Sequence, residues 1–230
     1  MAETAVPVQP AAPAIADPAP LGLAGFALTT FVLSVHNANW APDLVWVGLA
    51  LFYGGLAQFL AGQHEFRNRN TFGATAFSSY GAFWLALASF IIMDLAHALP
   101  ATMNINNALG WFIASFAIFN TYMMFWSTRV NKAIFAVFLT LEATEIIYFI
   151  GQFLLGNGHP VGTDIVHVSG YVGVLTAACA WYASAAGVVN GMAGHPVVKV
   201  GAPLWGGPPK ERLAPPIAST GGYGAPAAQH

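Results

Sequence analysis

The sequence predicts an all-α, polytopic membrane protein, a bundle of six transmembrane helices. Three observations predict it. Charged residues make up 7% of the chain and hydrophobic residues 57%, whereas a water-soluble domain carries roughly 25% charged residues. The seven Lys and Arg residues fall in three short segments: Arg67 and Arg69, then Arg129 and Lys132, then Lys199, Lys210 and Arg212. The basic-free stretches around them are apolar and long enough for crossings of ~20 residues each. Two crossings between successive clusters put every cluster on one face, and basic loops stay cytoplasmic. The expected topology therefore has both termini on the inner side of the cell membrane.

The elements follow in order. Residues 1–19 are rich in Pro and Ala, with Glu3 and Asp17 as their charges, and are expected to form a disordered cytoplasmic tail because alternating prolines disfavour a helix. The tail has no basic segment before an apolar core, so no cleavable signal is expected. Span one reads Leu21 to His36, with Pro20 suited to the first helical turn. Span two runs from Asp43 to Gly62, and His64 to Asn70 forms the first basic loop. Span three covers Phe72 to Asp94, followed by an outer loop from Leu95 to Asn106 that contains Pro100. Span four covers Asn107 to Ser127, and Arg129 to Lys132 makes a tight inner turn. Span five covers Ala133 to Leu155, and Gly156 to Thr163 is an outer Gly/Pro turn. Span six covers Asp164 to Val189. Residues 191–230 are polar and Gly/Pro-rich, an expected disordered cytoplasmic tail that leaves 20–190 as the transmembrane domain. Gly54, Gly55, Ala57 and Ala61 in span two, and Gly170, Gly173, Ala177 and Ala178 in span six, are small enough for helices to approach closely.

Composition also excludes partners and chemistries. A net charge of −2 and scattered basic residues rule out a nucleic-acid surface. Cys179 is the single cysteine, so no intrachain disulfide and no cysteine metal site is expected. The chain has no HExxH motif, no nucleophile elbow and no Gly-rich phosphate loop, so neither catalysis nor a metal or cofactor is expected. Membrane lipid is the expected surrounding.

The candidate residues lie inside the spans. Glu142 and Glu145, three apart in span five, share a face with Tyr148. A carboxyl at that depth is costly, roughly 2.5–3.5 kcal/mol for Asp-like charges on insertion scales. The two are either proton-carrying coupling groups or buried acids bonded to a neighbouring helix. His36, His97, His159 and His167, with Asp43, Asp94 and Asp164, collect on the outer side. They form either a pH-sensing vestibule or, as we prefer, an incidental set of interfacial polar groups. Phe26, Phe31, Phe77, Tyr80, Phe83 and Trp84 serve packing, unless a subset narrows a pore by excluding water.

Three ordered motifs carry a resemblance. Asp17-Pro18-Ala19-Pro20-Leu21-Gly22-Leu23 followed by Gly25-Phe26 resembles the NPAPLGL…GF signature of the acetate uptake transporter family, which includes bacterial succinate–acetate permease and the yeast acetate permeases. Phe52-Tyr53-Gly54-Gly55-Leu56-Ala57-Gln58 is similar to a second family stretch, and Asn70 to Trp84 to a third. The resemblance runs from Asp17 to Val189. It implies a six-helix subunit, a homohexamer with a path through each subunit, and transport of acetate and similar small monocarboxylates, with succinate as a further substrate. It also implies a constriction of Phe26, Tyr80 and Leu141. Two departures stand out: Asp17 replaces the family's Asn, and Glu142 and Glu145 occupy positions that are apolar in related permeases.

The residue chemistry fits such a substrate. Acetic acid titrates close to a Glu side chain, roughly 4.3. Thr29, Thr30, Gln58, Ser79 and Asn120 can bind a carboxylate, and the backbone of the first turn of span one, at Leu21 and Gly22, can add N–H donors. No basic residue lies inside the spans, which suits weak binding of acetate, alone or with a proton on Glu142 or Glu145. Two other classes stay open: a passive channel for a neutral solute such as urea or ammonia, and an intramembrane enzyme using Asp94, His97, Glu142 or Glu145.

Overall fold

A computed structural model describes residues 15–206. Expectations for 1–14 and 207–230, including Glu3, Lys210 and Arg212, lie outside the described residues. Six helices are long and apolar enough to cross a membrane. They are α1 (Ala19–Asn37), α2 (Val45–Arg67), α3 (Thr71–Leu95), α4 (Ile105–Ser127), α5 (Lys132–Gly156) and α6 (Val161–Ala193). At 1.5 Å per residue, even the 19 residues of α1 come close to the bilayer's hydrocarbon thickness.

Asparagines start three of these helices. Asn70, Asn104 and Asn131 each accept a bond from the backbone N–H three residues on, at Gly73, Asn107 and Ile134, over distances of 2.8–3.1 Å. These caps satisfy donors that would otherwise be left at the membrane surface. Helix α2 continues to Arg67, past the boundary expected at Gly62. Its middle, Phe52–Ala57, is a π-helical turn. Helix α6 is longer than expected at both ends, running from Val161 to Ala193.

The helices are arranged as a ring. Helix α5 packs between α4 and α6, α6 against α1, α1 against α2, and α2 against α3. The seam between α3 and α4 is closed by aromatic side chains. Phe83 stacks on Phe112 at 5.3 Å and meets Phe116 edge-on at 4.8 Å, and Tyr80 meets Phe119 at 5.5 Å. Close backbone approach elsewhere depends on small residues. A Cβ at Gly25 would lie 2.6 Å from the Tyr53 carbonyl, and one at Gly173 would lie 2.1 Å from Ser34 Oγ. Gly173→Val is therefore expected to force α1 and α6 apart and to destabilise the protein by about 1–3 kcal/mol, the usual cost of overpacking. A fall in the unfolding temperature of detergent-solubilised protein checks this.

The start of the expected C-terminal tail is docked on the bundle. Helix α6 stops at Gly194, which adopts a left-handed conformation with φ +70°. Asn190 Oδ1 then accepts from the N–H groups of Val197 and Val198 at 2.7 and 2.8 Å. The Tyr182 hydroxyl donates to the Lys199 carbonyl. The Val200 carbonyl accepts from Ala133 N–H at 3.0 Å, and Leu204 N–H donates to Thr128 at 2.8 Å. The Arg129 guanidinium lies 4.8 Å from the centre of the Trp205 ring. The expectation of a free tail from residue 191 is corrected for 191–206: paired carbonyls and a cation–π contact hold this stretch to the ends of α4, α5 and α6.

Candidate functional site

Three cavities lie in a row through the ring. The largest, about 380 Å³, opens at the basic end, where Asp17, Asn68, Asn70, Asn131 and Asn190 give it a polar rim. Leu23, Ala76, Phe77 and Phe138 line it and also line a second cavity of about 20 Å³. A third, of about 60 Å³, lies toward the opposite end and is lined by Leu33, Ser34, Asn37, Leu87 and Tyr148 among others. Phe26, Tyr80 and Leu141 line both the second and the third. All three are buried, with exposures of 5%, 3% and 6%. Phe26 meets Tyr80 edge-on at 5.8 Å. These three side chains are thus the residues that the two small chambers share.

Tyr80 is held from several sides. Its ring touches Phe26, Phe83, Phe116, Phe119 and Phe138. Its hydroxyl lies 3.0 Å from Asn120 Oδ1 and 3.3 Å from Glu145 Oε1. Asn120 is fully buried, and its amide N–H groups donate to the Phe138 carbonyl at 3.0 Å and to Glu142 Oε2 at 2.7 Å. With both N–H bonds committed, Asn120 offers Tyr80 only its carbonyl oxygen, so the tyrosine proton points there. The same O–H donates, over the longer distance, to Glu145 Oε1.

The two glutamates part company. Glu142 accepts from Asn120 and from Thr121 Oγ1 at 2.6 Å and lines none of the three cavities. It is an acid bonded to a neighbouring helix. Glu145 is 4% exposed and lines the third cavity, and its Oε2 is buried without a partner.

The other expected polar residues also divide. Gln58 lines the second cavity, with a buried, unpartnered Oε1. The π turn just before it brings it there, and π turns often mark functional positions. Thr30 lines the third cavity. Thr29 is buried at the α1–α2 contact, where a Cβ on Gly54 would lie 2.6 Å from its hydroxyl. Ser79 lines none of the three cavities. Of the N–H donors expected from the first turn of α1, that of Gly22 is already used. Ala19 N–H donates to Asp17 Oδ1 at 3.0 Å, Gly22 N–H donates to the Pro18 carbonyl at 3.2 Å, and Pro20 has none. Leu21 is exposed at 47% and lines no cavity. Neither Leu21 nor Gly22 lines any of the three cavities. Trp84, read from the sequence as packing, lines the third cavity with an unpartnered Nε1.

At the far end, His36 Nε2 lies 3.3 Å from Asp43 Oδ1. Among the described residues, no three His, Cys, Asp or Glu side chains come together as for a metal.

A ring of six apolar helices around a row of chambers, pinched by buried aromatic and aliphatic side chains, defines a membrane channel or transporter. Comparison with known proteins narrows this. The chain belongs to the GPR1/FUN34/yaaH family, whose pattern matches residues 3–201. It is 35% identical over 190 residues to the succinate-acetate/proton symporter SatP of Escherichia coli, covering 81% of this chain and 96% of that one. It is 39% identical over 186 residues to acetate permease A of Emericella nidulans, covering 76% of this chain but only 62% of that longer protein. The solved structure of the bacterial acetate channel SatP superposes with a TM-score of 0.74 at 35% identity, covering 82% of this chain and all of that one.

Proposed function

We propose that this chain carries acetate and similar small monocarboxylates across the cell membrane, with succinate as a further substrate, in a channel-like or proton-coupled manner. The carrying observation is the neck of Phe26, Tyr80 and Leu141 between two small chambers, reached from a wide polar vestibule. The similarity to SatP over nearly its whole length supports the same reading. The rim asparagines suit a carboxylate, and the apolar neck suits its methyl end. Glu145 is the coupling candidate, since its carboxyl meets both the neck tyrosine and the chamber; Glu142 is committed to α4. Gln58, Thr30 and Asn120 remain the polar groups on or beside the path. The positive-inside tendency of the basic loops supports a cytoplasmic vestibule and cytoplasmic termini within this reading. Assembly as a homohexamer, with a path through each subunit, belongs to this reading, as do protons as the coupled partner.

Purified protein in liposomes tests it. Labelled acetate is expected to enter faster at acidic outside pH, unlabelled acetate to compete, and urea to leave the flux unchanged. Phe26→Ala is expected to lower the flux severalfold. Liposomes sealed to acetate at every pH, or competition by urea, would reject the reading in favour of another solute.

A further inference from the structure

We propose that the chamber beyond the neck is a subsite for one small carboxylic acid, in which Glu145 and the bound acid share a single proton. Trp84 N–H and the Thr30 hydroxyl donate to the bound acid. The proposal rests on the transport reading and names the form in which the substrate passes.

Three residues lining this chamber carry a buried polar atom without a partner: Thr30 Oγ1, Trp84 Nε1 and Glu145 Oε2. Their exposures are 5%, 3% and 4%. A buried polar group left unsatisfied is costly, and one that persists calls for a partner. The three are complementary to a carboxyl group. An indole N–H only donates, a hydroxyl donates or accepts, and a carboxyl oxygen accepts from an acid O–H. The remaining wall includes Phe26, Leu33, Leu87 and Ile113, which suit an alkyl end. The chamber's volume of about 60 Å³ would hold roughly four to six waters at 10–15 Å³ each. Acetic acid, with about as many heavy atoms, fits; the second carboxylate of a dicarboxylate would be pressed against leucine and isoleucine.

The hydrogen-bond directions account for the proton. The Tyr80 O–H donates to Asn120 Oδ1 at 3.0 Å and to Glu145 Oε1 at 3.3 Å, so Glu145 enters the pair as an acceptor, a carboxylate. Its Oε2 then accepts, and the incoming acid supplies the one O–H that the pair shares. The acid's O–H bond can lengthen as one forms to Glu145, leaving the total charge of the pair unchanged. An ionised ligand beside an ionised Glu145 would put two negative charges in one dry chamber. The other ionisable groups around Glu145 are Tyr80 on α3 and Glu142 and Tyr148 on α5. Helix α1 presents only Phe26, Thr30, Leu33, Ser34 and Asn37 to the chamber, and α4 only Ile113. The α6 neighbour is Thr176, bonded to Thr144 at 3.0 Å. None of the residues lining the chamber is basic.

Labelled-acetate uptake into proteoliposomes, measured against outside pH, tests the subsite with E145Q, W84F and T30V. For E145Q the half-saturating acetate concentration is expected to rise about tenfold, the worth of one hydrogen bond, with the pH dependence flattened. For W84F and T30V it is expected to rise severalfold with the pH dependence kept. Infrared difference spectra of wild-type protein with ¹³C-carboxyl acetate should show a protonated carboxyl band that E145Q alters. Unchanged half-saturation and pH profiles in all three variants, with wild-type flux intact, would overturn the subsite and leave transport standing. Absence of wild-type acetate flux would instead remove the transport reading beneath it. Should E145Q not fold, W84F, T30V and the wild-type spectra still decide.

Discussion

Tyr80→Ala is expected to reduce acetate uptake to near background and to weaken the fold in the same step. The ring contacts five other aromatic side chains, and its hydroxyl joins α3 to α4 and α5. Truncating a buried aromatic costs about 3–5 kcal/mol in soluble cores. The lower end is the better guide here, because lipid weakens the hydrophobic share and leaves packing as the main contribution. Tyr80→Phe separates the two roles. It keeps the ring but leaves Asn120 Oδ1 without its donor, at about 1–3 kcal/mol. Uptake should therefore fall less than in the alanine variant. Thermal unfolding in detergent together with proteoliposome flux measures both. Uptake by Tyr80→Ala equal to wild type would remove Tyr80 from the neck.

Asn120→Leu is expected to have the second largest effect. The amide is the shared partner of Tyr80, Glu142 and the Phe138 carbonyl. Its loss strands a phenol and weakens the hold on a carboxyl, with about 1–3 kcal/mol for each group left short. Pairing it with Glu142→Leu should recover part of the loss, since removing both partners of a buried bond is much cheaper than removing one. A double-mutant cycle on unfolding temperature isolates that coupling. Losses that simply add would mean that Asn120 and Glu142 do not depend on each other.

The spans were legible because apolar runs between polar turns report burial in lipid directly. Their ends were less so. The segment Gln63–Arg67 is polar, yet it stays helical to reach the cap at Asn70, and α6 runs on to the left-handed Gly194. Phe26 and Tyr80, singled out by motif resemblance, line the same two chambers as Leu141. The different settings of Glu142 and Glu145 were not legible. Three residues along a helix turn the side chains by only about 60° relative to one another. Which of them meets α4 depends on Asn120 and Thr121, whose placement is a matter of tertiary packing. Trp84 was missed for a related reason: a tryptophan in an apolar span reads as bulk, and an unpartnered N–H shows only in three dimensions. Leu21 and Gly22 lie away from the three cavities, and the Gly22 amide is taken by the Pro18 carbonyl, a bond that the letters of the helix start do not show.

The π turn at Phe52–Ala57 takes up one surplus residue without rotating the helix on either side of it. Were the same letters wound as uninterrupted α-helix, everything from Gln58 onward would swing by about 100°. The glutamine amide would then face a neighbouring helix or lipid, while the span's length and hydropathy stayed the same. Its bearing on the chamber is thus a matter of phase, set by a counting defect two glycines wide.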